Sequence, residues 1–229
     1  MTNTPLVDVI IPVYNGERYL HEAIESVLKQ RYHPLQLIVV DDGSEDESAA
    51  LAARFEGVHV LHGPHAGIGA ALNRGIRHGK GDLIAFLDAD DRWLPEKLAT
   101  GEMFAGAPGS GHGLRVRVSF KTFKIPAFKI PAMAHRLSMP KQAAVHRCAA
   151  LVWRAAFERV GPFSESIVAD FADWYARALE AKLHTATLPD VVFERRIHAN
   201  NYGRLQRTAE HQGYLQAITR LTGTTPGAN

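Results

Sequence analysis

The chain has 229 residues, a formal net charge of +2, 46% hydrophobic residues and one cysteine, Cys148. A single cysteine excludes an internal disulfide, and no apolar run approaches the ~18 residues of a membrane-crossing helix. The sequence carries no recognised nucleic-acid-binding module, and the length suits one α/β domain with a sizeable core.

In chain order, Val9, Ile10, Ile11, Pro12 and Val13 read as a buried strand that breaks at proline and turns through Asn15 and Gly16. Tyr19/Leu20, Ala23/Ile24 and Val27/Leu28 then repeat at helical spacing and give one apolar face. Leu35, Leu37, Ile38, Val39 and Val40 form a second strand that ends on Asp41 and Asp42. Ser44 with Glu47 has the spacing of a capping box and predicts a helix through Ala49 to Phe55. A short strand over Val58–Leu61, a helix opened by Gly67-x-Gly69, and a strand over Leu83–Leu87 complete the first half. Alternating strands and helices of this kind predict a parallel sheet with right-handed crossovers.

The last of these strands runs into Asp88, Asp90 and Asp91. Three carboxylates at one strand end repel one another unless a divalent cation, bound through hard oxygen ligands, offsets them. A turn or a helix cap is the plainer use of such acids. Two apolar strands nevertheless deliver carboxylates at their C-terminal ends, where open α/β sheets bind ligands.

VDVIIPVYNGERYLHEAIESVLKQ, LIVVDDGSEDES and LNRGIRHGKGDLIAFLDADD together resemble the nucleotide-sugar domain of family 2 glycosyltransferases, over roughly residues 6 to 98. The resemblance implies a GT-A fold: a Rossmann-like, mostly parallel α/β sheet flanked by helices, with a smaller acceptor-side subregion. It also implies inverting transfer from a nucleoside-diphosphate sugar, by family habit UDP-linked, to an acceptor hydroxyl. By the same resemblance Pro12 and Tyr14 line the base pocket, Asp42 accepts from base or ribose, Asp88 holds the ribose, and Asp90, with Asp88, coordinates Mn2+ or Mg2+ on the diphosphate. The half formed by residues 1–100 would then bind the donor, and residues 146–229 would form the acceptor side with a C-terminal helix.

In that second half CAALVWRAAFERVGPFSES resembles the family's acceptor-side segment, and Asp170-Phe171-Ala172-Asp173-Trp174 lies where relatives carry a catalytic carboxylate. The chain departs from the family pattern here, with Phe171 at the usual place of the catalytic aspartate. Asp170 is the favoured base and Asp173 the second choice; both also suit the first turn of a helix, as a cap and its partner. Further on, Val191, Val192 and Phe193 lead into Arg195–Asn201. The resemblance suggests His198 for the metal shell or diphosphate. Arg195 and Arg196 alternate along an extended segment, so one should face the cleft, and Arg196 is the expected one.

Between the halves, residues 103–157 contain nine Lys or Arg and no Asp or Glu. This basic surface suits an anionic acceptor, or peripheral contact with the inner face of a membrane through residues 114–147; a plainly solvated face is the alternative. Within it the tandem FKIPAFKIPA, Phe123 to Ala132, follows a glycine-rich segment, and its prolines predict an extended loop or edge strands. The first residues show no secretory leader, so the expected compartment is the cytoplasm; homodimerisation is open. Rival readings are a non-catalytic nucleotide-sugar binder, a sugar-phosphate nucleotidyltransferase and a dinucleotide-binding domain. The last fails because Leu72 stands where the fingerprint needs its third glycine or alanine.

Overall fold

The computed structural model describes residues 4–100, 114–115, 120–124, 146–183, 185, 190–198, 201–202 and 206–222. Buried parallel strands need apolar side chains on both faces, and the chain supplies them. β1 (Val7–Val13) is buried at all seven positions. It pairs in parallel with β2 (Leu35–Asp41) on one side and β4 (Leu83–Phe86) on the other, while β3 (Val58–His62) adds in parallel beyond β2. β8 (Leu151–Trp153) runs antiparallel to β4, and β6 (Leu114–Arg115) antiparallel to β8, giving the order β3-β2-β1-β4-β8-β6. A second sheet, β5-β9-β7, joins Arg92–Trp93, Phe193–Ile197 and Phe120–Lys124.

Alternation along each strand sorts the core into two layers. Val9, Ile11, Leu37, Val39, Ala85 and Leu87 pack against α1 (Glu17–Leu28), whose Leu20, Ala23, Ile24 and Val27 are buried. Ile10, Ile38, Val40, Ile84 and Phe86 face the other way, toward α3 (Ile68–His78), α4 (Arg154–Val160) and α5 (Asp170–Glu180). A C-terminal helix, α6 (Arg207–Thr222), packs beside α5. No helix among the described residues is long and apolar enough to cross a membrane.

The capping box is not formed. α2 (Ser48–Ala52) starts later than expected, with Glu47 at its N-cap and no side-chain cap. Ser44 and Ser48 instead accept hydrogen bonds from Asn15 N (3.0 Å) and Gly16 N (2.9 Å), tying the loop after β2 to the loop after β1. Asn15 and Gly16 are both cleft-lining, so these serines shape the site rather than a helix end. Of the FKIPA repeat, only Phe123 and Lys124 lie among the described residues, at the end of β7.

Candidate active site

The register of the sheet sets the site. Val13 lies opposite Asp41, and Ile10 opposite Phe86, so the C-terminal ends of β1, β2 and β4 open into one crevice. Asp42 N donates to Val13 O (2.8 Å) and Leu87 N to Ile10 O (3.1 Å), carrying the ladder into both acidic segments. The cleft there has a volume of about 710 Å³. Pro12, Tyr14, Asp42, Asp88, Asp90, Asp170 and His198 all line it.

At one end, Tyr14 stacks on His65 with ring centroids 4.0 Å apart. Asp42 is buried, and its two carboxylate oxygens accept from Ala66 N (3.1 Å) and Gly67 N (2.8 Å), with His65 Nδ1 3.0 Å away. The turn that brings these groups together runs through Gly43 at φ 79°, where an added Cβ would lie 2.8 Å from His65 N. Only glycine takes that backbone without strain.

The acids after β4 each take different protein partners. Asp88 Oδ1 accepts from Arg147 Nε at 2.7 Å. Asp90 Oδ2 accepts from Asn201 Nδ2 at 2.7 Å and lies 2.9 Å from His198 Nε2. Asp91 turns inward: its Oδ1 accepts from Arg196 N (2.8 Å) and its Oδ2 faces Cys148 Sγ (3.8 Å). Burial, with the charges of Asp90 and Asp88 added, pushes the Asp91 carboxyl well above the usual carboxylate range. Burial acts the same way on Asp88, but the Arg147 guanidinium, with His146 and Arg195, holds that carboxyl below its ordinary value.

One oxygen from each of Asp88, Asp90 and Asp91 lies within 4.8 Å of the others. Hard oxygen donors at this spacing, with an imidazole on Asp90, fit Mn2+ or Mg2+. A second grouping, Asp88 with His146 and Cys148, is equally close. It suits a cation less well. Mn2+ and Mg2+ prefer oxygen to sulfur and imidazole donors, and Cys148 Sγ already lies 3.8 Å from Asp91 Oδ2.

Asp170, 1% exposed, lines the cleft from the first turn of α5. Phe171 and Trp174 anchor that helix in an aromatic cluster with Phe157 and Phe163, and Trp174 Nε1 donates to Gly161 O (2.9 Å). Phe171 is therefore a packing residue. Asp170 does not cap the helix: Ala169 occupies the N-cap, and Asp170 Oδ1 accepts from Phe171 N (2.7 Å) and Arg147 Nη1 (2.8 Å). Burial raises its carboxyl above the usual range, against the opposing pull of Arg147 and the Phe171 amide.

Two expectations about placement change. Asp173 does not line the cleft; it is buried and pairs with Arg177 (3.0 Å) and with Arg220 (3.7 Å) of α6, the helix packed beside α5. Of the two neighbours, Arg195 and not Arg196 lines the cleft. Arg196 is 6% exposed, lies 4.5 Å over the Tyr19 ring, pairs with Glu22 (2.5 Å) and donates to Asp90 O (3.0 Å). It braces the acidic loop from behind. Arg147 and Asn201 complete the site without having been singled out; their only sequence signals were a place in the basic stretch and in the segment around His198.

Comparison with known proteins identifies the family and the fold. The family model described as Glycosyl transferase family 2 matches residues 8–160. An uncharacterized glycosyltransferase of Rickettsia prowazekii is 28% identical over 95% of this chain and 74% of its own length. One of Rickettsia typhi is 42% identical over 42% of this chain, which spans 31% of that relative's length. Among solved structures, a mannosyltransferase from Pyrobaculum calidifontis in complex with GDP-Man and Mn2+ superposes with a TM-score of 0.73 at 22% identity, covering 99% of this chain and 67% of that one. S. aureus TarS in complex with UDP-GlcNAc gives 0.68 at 15% identity, over 96% of this chain and 73% of that one. At these identities the structures establish the fold, which is GT-A.

Proposed function

The chain belongs to glycosyl transferase family 2, and from that membership we propose that it moves a sugar from a nucleoside-diphosphate donor to an acceptor hydroxyl, using a divalent cation and inverting the anomeric carbon. The observation that carries this reading is the single cleft shared by the strand-end acids and the buried Asp170. In this reading the Tyr14 ring, backed by His65, is a flat wall for the nucleobase beside Pro12, and Asp42, fixed by two amides, accepts from base or ribose. Asp88, Asp90 and His198 would hold Mn2+ or Mg2+, which when bound supplies positive charge against the departing diphosphate. Arg195 faces the same space and adds to it.

Asp170 is the proposed general base. Transfer forms a bond from the acceptor oxygen to the anomeric carbon as the bond to the diphosphate oxygen breaks; the acceptor proton passes to Asp170 and the electron pair stays on the diphosphate. Residues 1–100 thus serve the donor and residues 146–229 the acceptor, with the basic 101–145 region between them offered to an anionic acceptor or membrane surface.

Two solved neighbours carry different donors, GDP-Man in one and UDP-GlcNAc in the other. The base is therefore an experimental matter, with uridine first by family habit. Incubation with UDP-, GDP- and TDP-sugars plus Mn2+ should release the nucleoside diphosphate from at least one of them. Failure to turn over or bind any of them in the presence of metal would overturn the proposal.

A further inference from the structure

We propose that Arg147 is a positioning residue that locks the base to the donor side of the cleft. The inference rests on the function proposed above. Its starting point is one planar guanidinium with two distant partners. Nε donates to Asp88 Oδ1 at 2.7 Å, and Nη1 donates to Asp170 Oδ1 at 2.8 Å. Asp88 belongs to the strand-end acids, whereas Asp170 opens a helix in the other half of the chain. A guanidinium offers its donors in a fixed fork, so bridging two carboxylates fixes their separation as well as their charge; a lysine, as a point charge, would not.

The second observation is at Asp170 itself. Oδ1 is taken by Arg147 and by Phe171 N (2.7 Å), while Oδ2 is buried and has no hydrogen-bond partner among the described residues. A buried carboxylate oxygen without a donor is costly unless something supplies one. Two donors on one oxygen orient the carboxylate and leave the other oxygen to take the proton. Tyr202 also lines the cleft, and its hydroxyl is pushed upward in pKa by burial and by the Asp170 charge. Arg147 is also well placed to keep still. It opens the one-turn segment Arg147–Ala149, and the next residue's Sγ accepts from Asp88 N at 3.3 Å, so backbone and side chain address the same aspartate.

The test is a double-mutant cycle, with water as the acceptor probe and Mn2+ plus whichever sugar nucleotide the donor panel identifies. Turnover at saturating donor is measured for wild type, Arg147→Gln, Asp170→Asn and the double variant. Arg147→Gln should lower kcat by about 10²-fold, the cost of a misplaced base, yet change it by less than about twofold when Asp170 is already Asn. Losing the same factor in both backgrounds would overturn the proposal, since a role in folding or on the diphosphate is independent of Asp170. Arg147→Lys keeps the charge and guards against a Gln variant that does not fold; its cycle should show the same coupling, and full wild-type kcat for Lys would overturn the two-pronged argument. No turnover by wild type on any donor, or undiminished turnover by Asp170→Asn, would defeat the functional reading itself and this inference with it.

Discussion

Asp170 illustrates how burial can prepare a carboxylate for proton transfer. Its desolvation lifts the carboxyl toward the pH at which a base both is ionised and holds a proton well, and Arg147 limits how far it rises. As the proposed base it must be deprotonated, so turnover should increase with pH through a value above the ordinary ~3.9 of aspartate. Asp170→Asn should lower transfer by about 10²–10⁴ and remove that acidic limb from the kcat profile, while sparing donor binding. An unchanged limb would assign it to another group. Asp91 makes a prediction about stability. Its folded pKa is raised, so between the unfolded value near 3.9 and the raised folded value the folded chain binds more protons than the unfolded one. Metal-free protein should therefore lose stability as pH climbs through that window. Asp91→Asn should reduce the loss, as read by urea unfolding at a series of pH values. His146 acts in the opposite sense: burial lowers its pKa to about 3, so stability is lost as pH falls from ~6.5 toward that value.

α3 and the loop ahead of α5 show how a site residue is aimed from a distance. Asn73 on α3 donates to Phe163 O (3.0 Å) and accepts from Phe163 N (3.0 Å), pinning the loop whose next residues lead to Asp170. Asn73→Ala would orphan both backbone groups and should cost about 1–3 kcal/mol in denaturant unfolding. A change near zero would show that the loop is held by other contacts. Gly69 permits the same approach, since an added Cβ would sit 2.3 Å from Ser164 O. Much of this framework was legible in the sequence, because strands buried on both faces must be written as runs such as Val9–Val13 and Leu37–Val40, and α1 must carry its apolar face at helical spacing. What failed had a common cause. Ser44 satisfies an amide from another loop as readily as one in its own helix, and both arginines have a carboxylate to meet, Arg195 the charge of Asp88 in the cleft and Arg196 that of Glu22 behind it. The link from Arg147 to Asp88 and Asp170 joins distant parts of the chain, so no local pattern announces it.

For the molecule as a whole, the doubly covered sheet brings three strand ends and one helix N-terminus to a single cleft, and ligands there should stabilise the entire fold by mass action. With Mn2+ and a nucleoside diphosphate at a hundred times the dissociation constant, the gain is about 2.7 kcal/mol, or roughly 5–10 °C in Tm for a chain of this size. Neither ligand alone should achieve it, if cation and diphosphate bind as one charge-compensated unit. The central claim, that Asp88 and Asp90 grip a divalent cation which in turn holds the diphosphate, is tested most directly by calorimetric titration of UDP and GDP into wild type and Asp90→Ala, with and without Mn2+. The expected result is tight binding of at least one nucleotide by wild type only when Mn2+ is present, and its loss in Asp90→Ala. Nucleotide affinity that is indifferent to Mn2+ in the wild type, or that survives unchanged in Asp90→Ala, would contradict it.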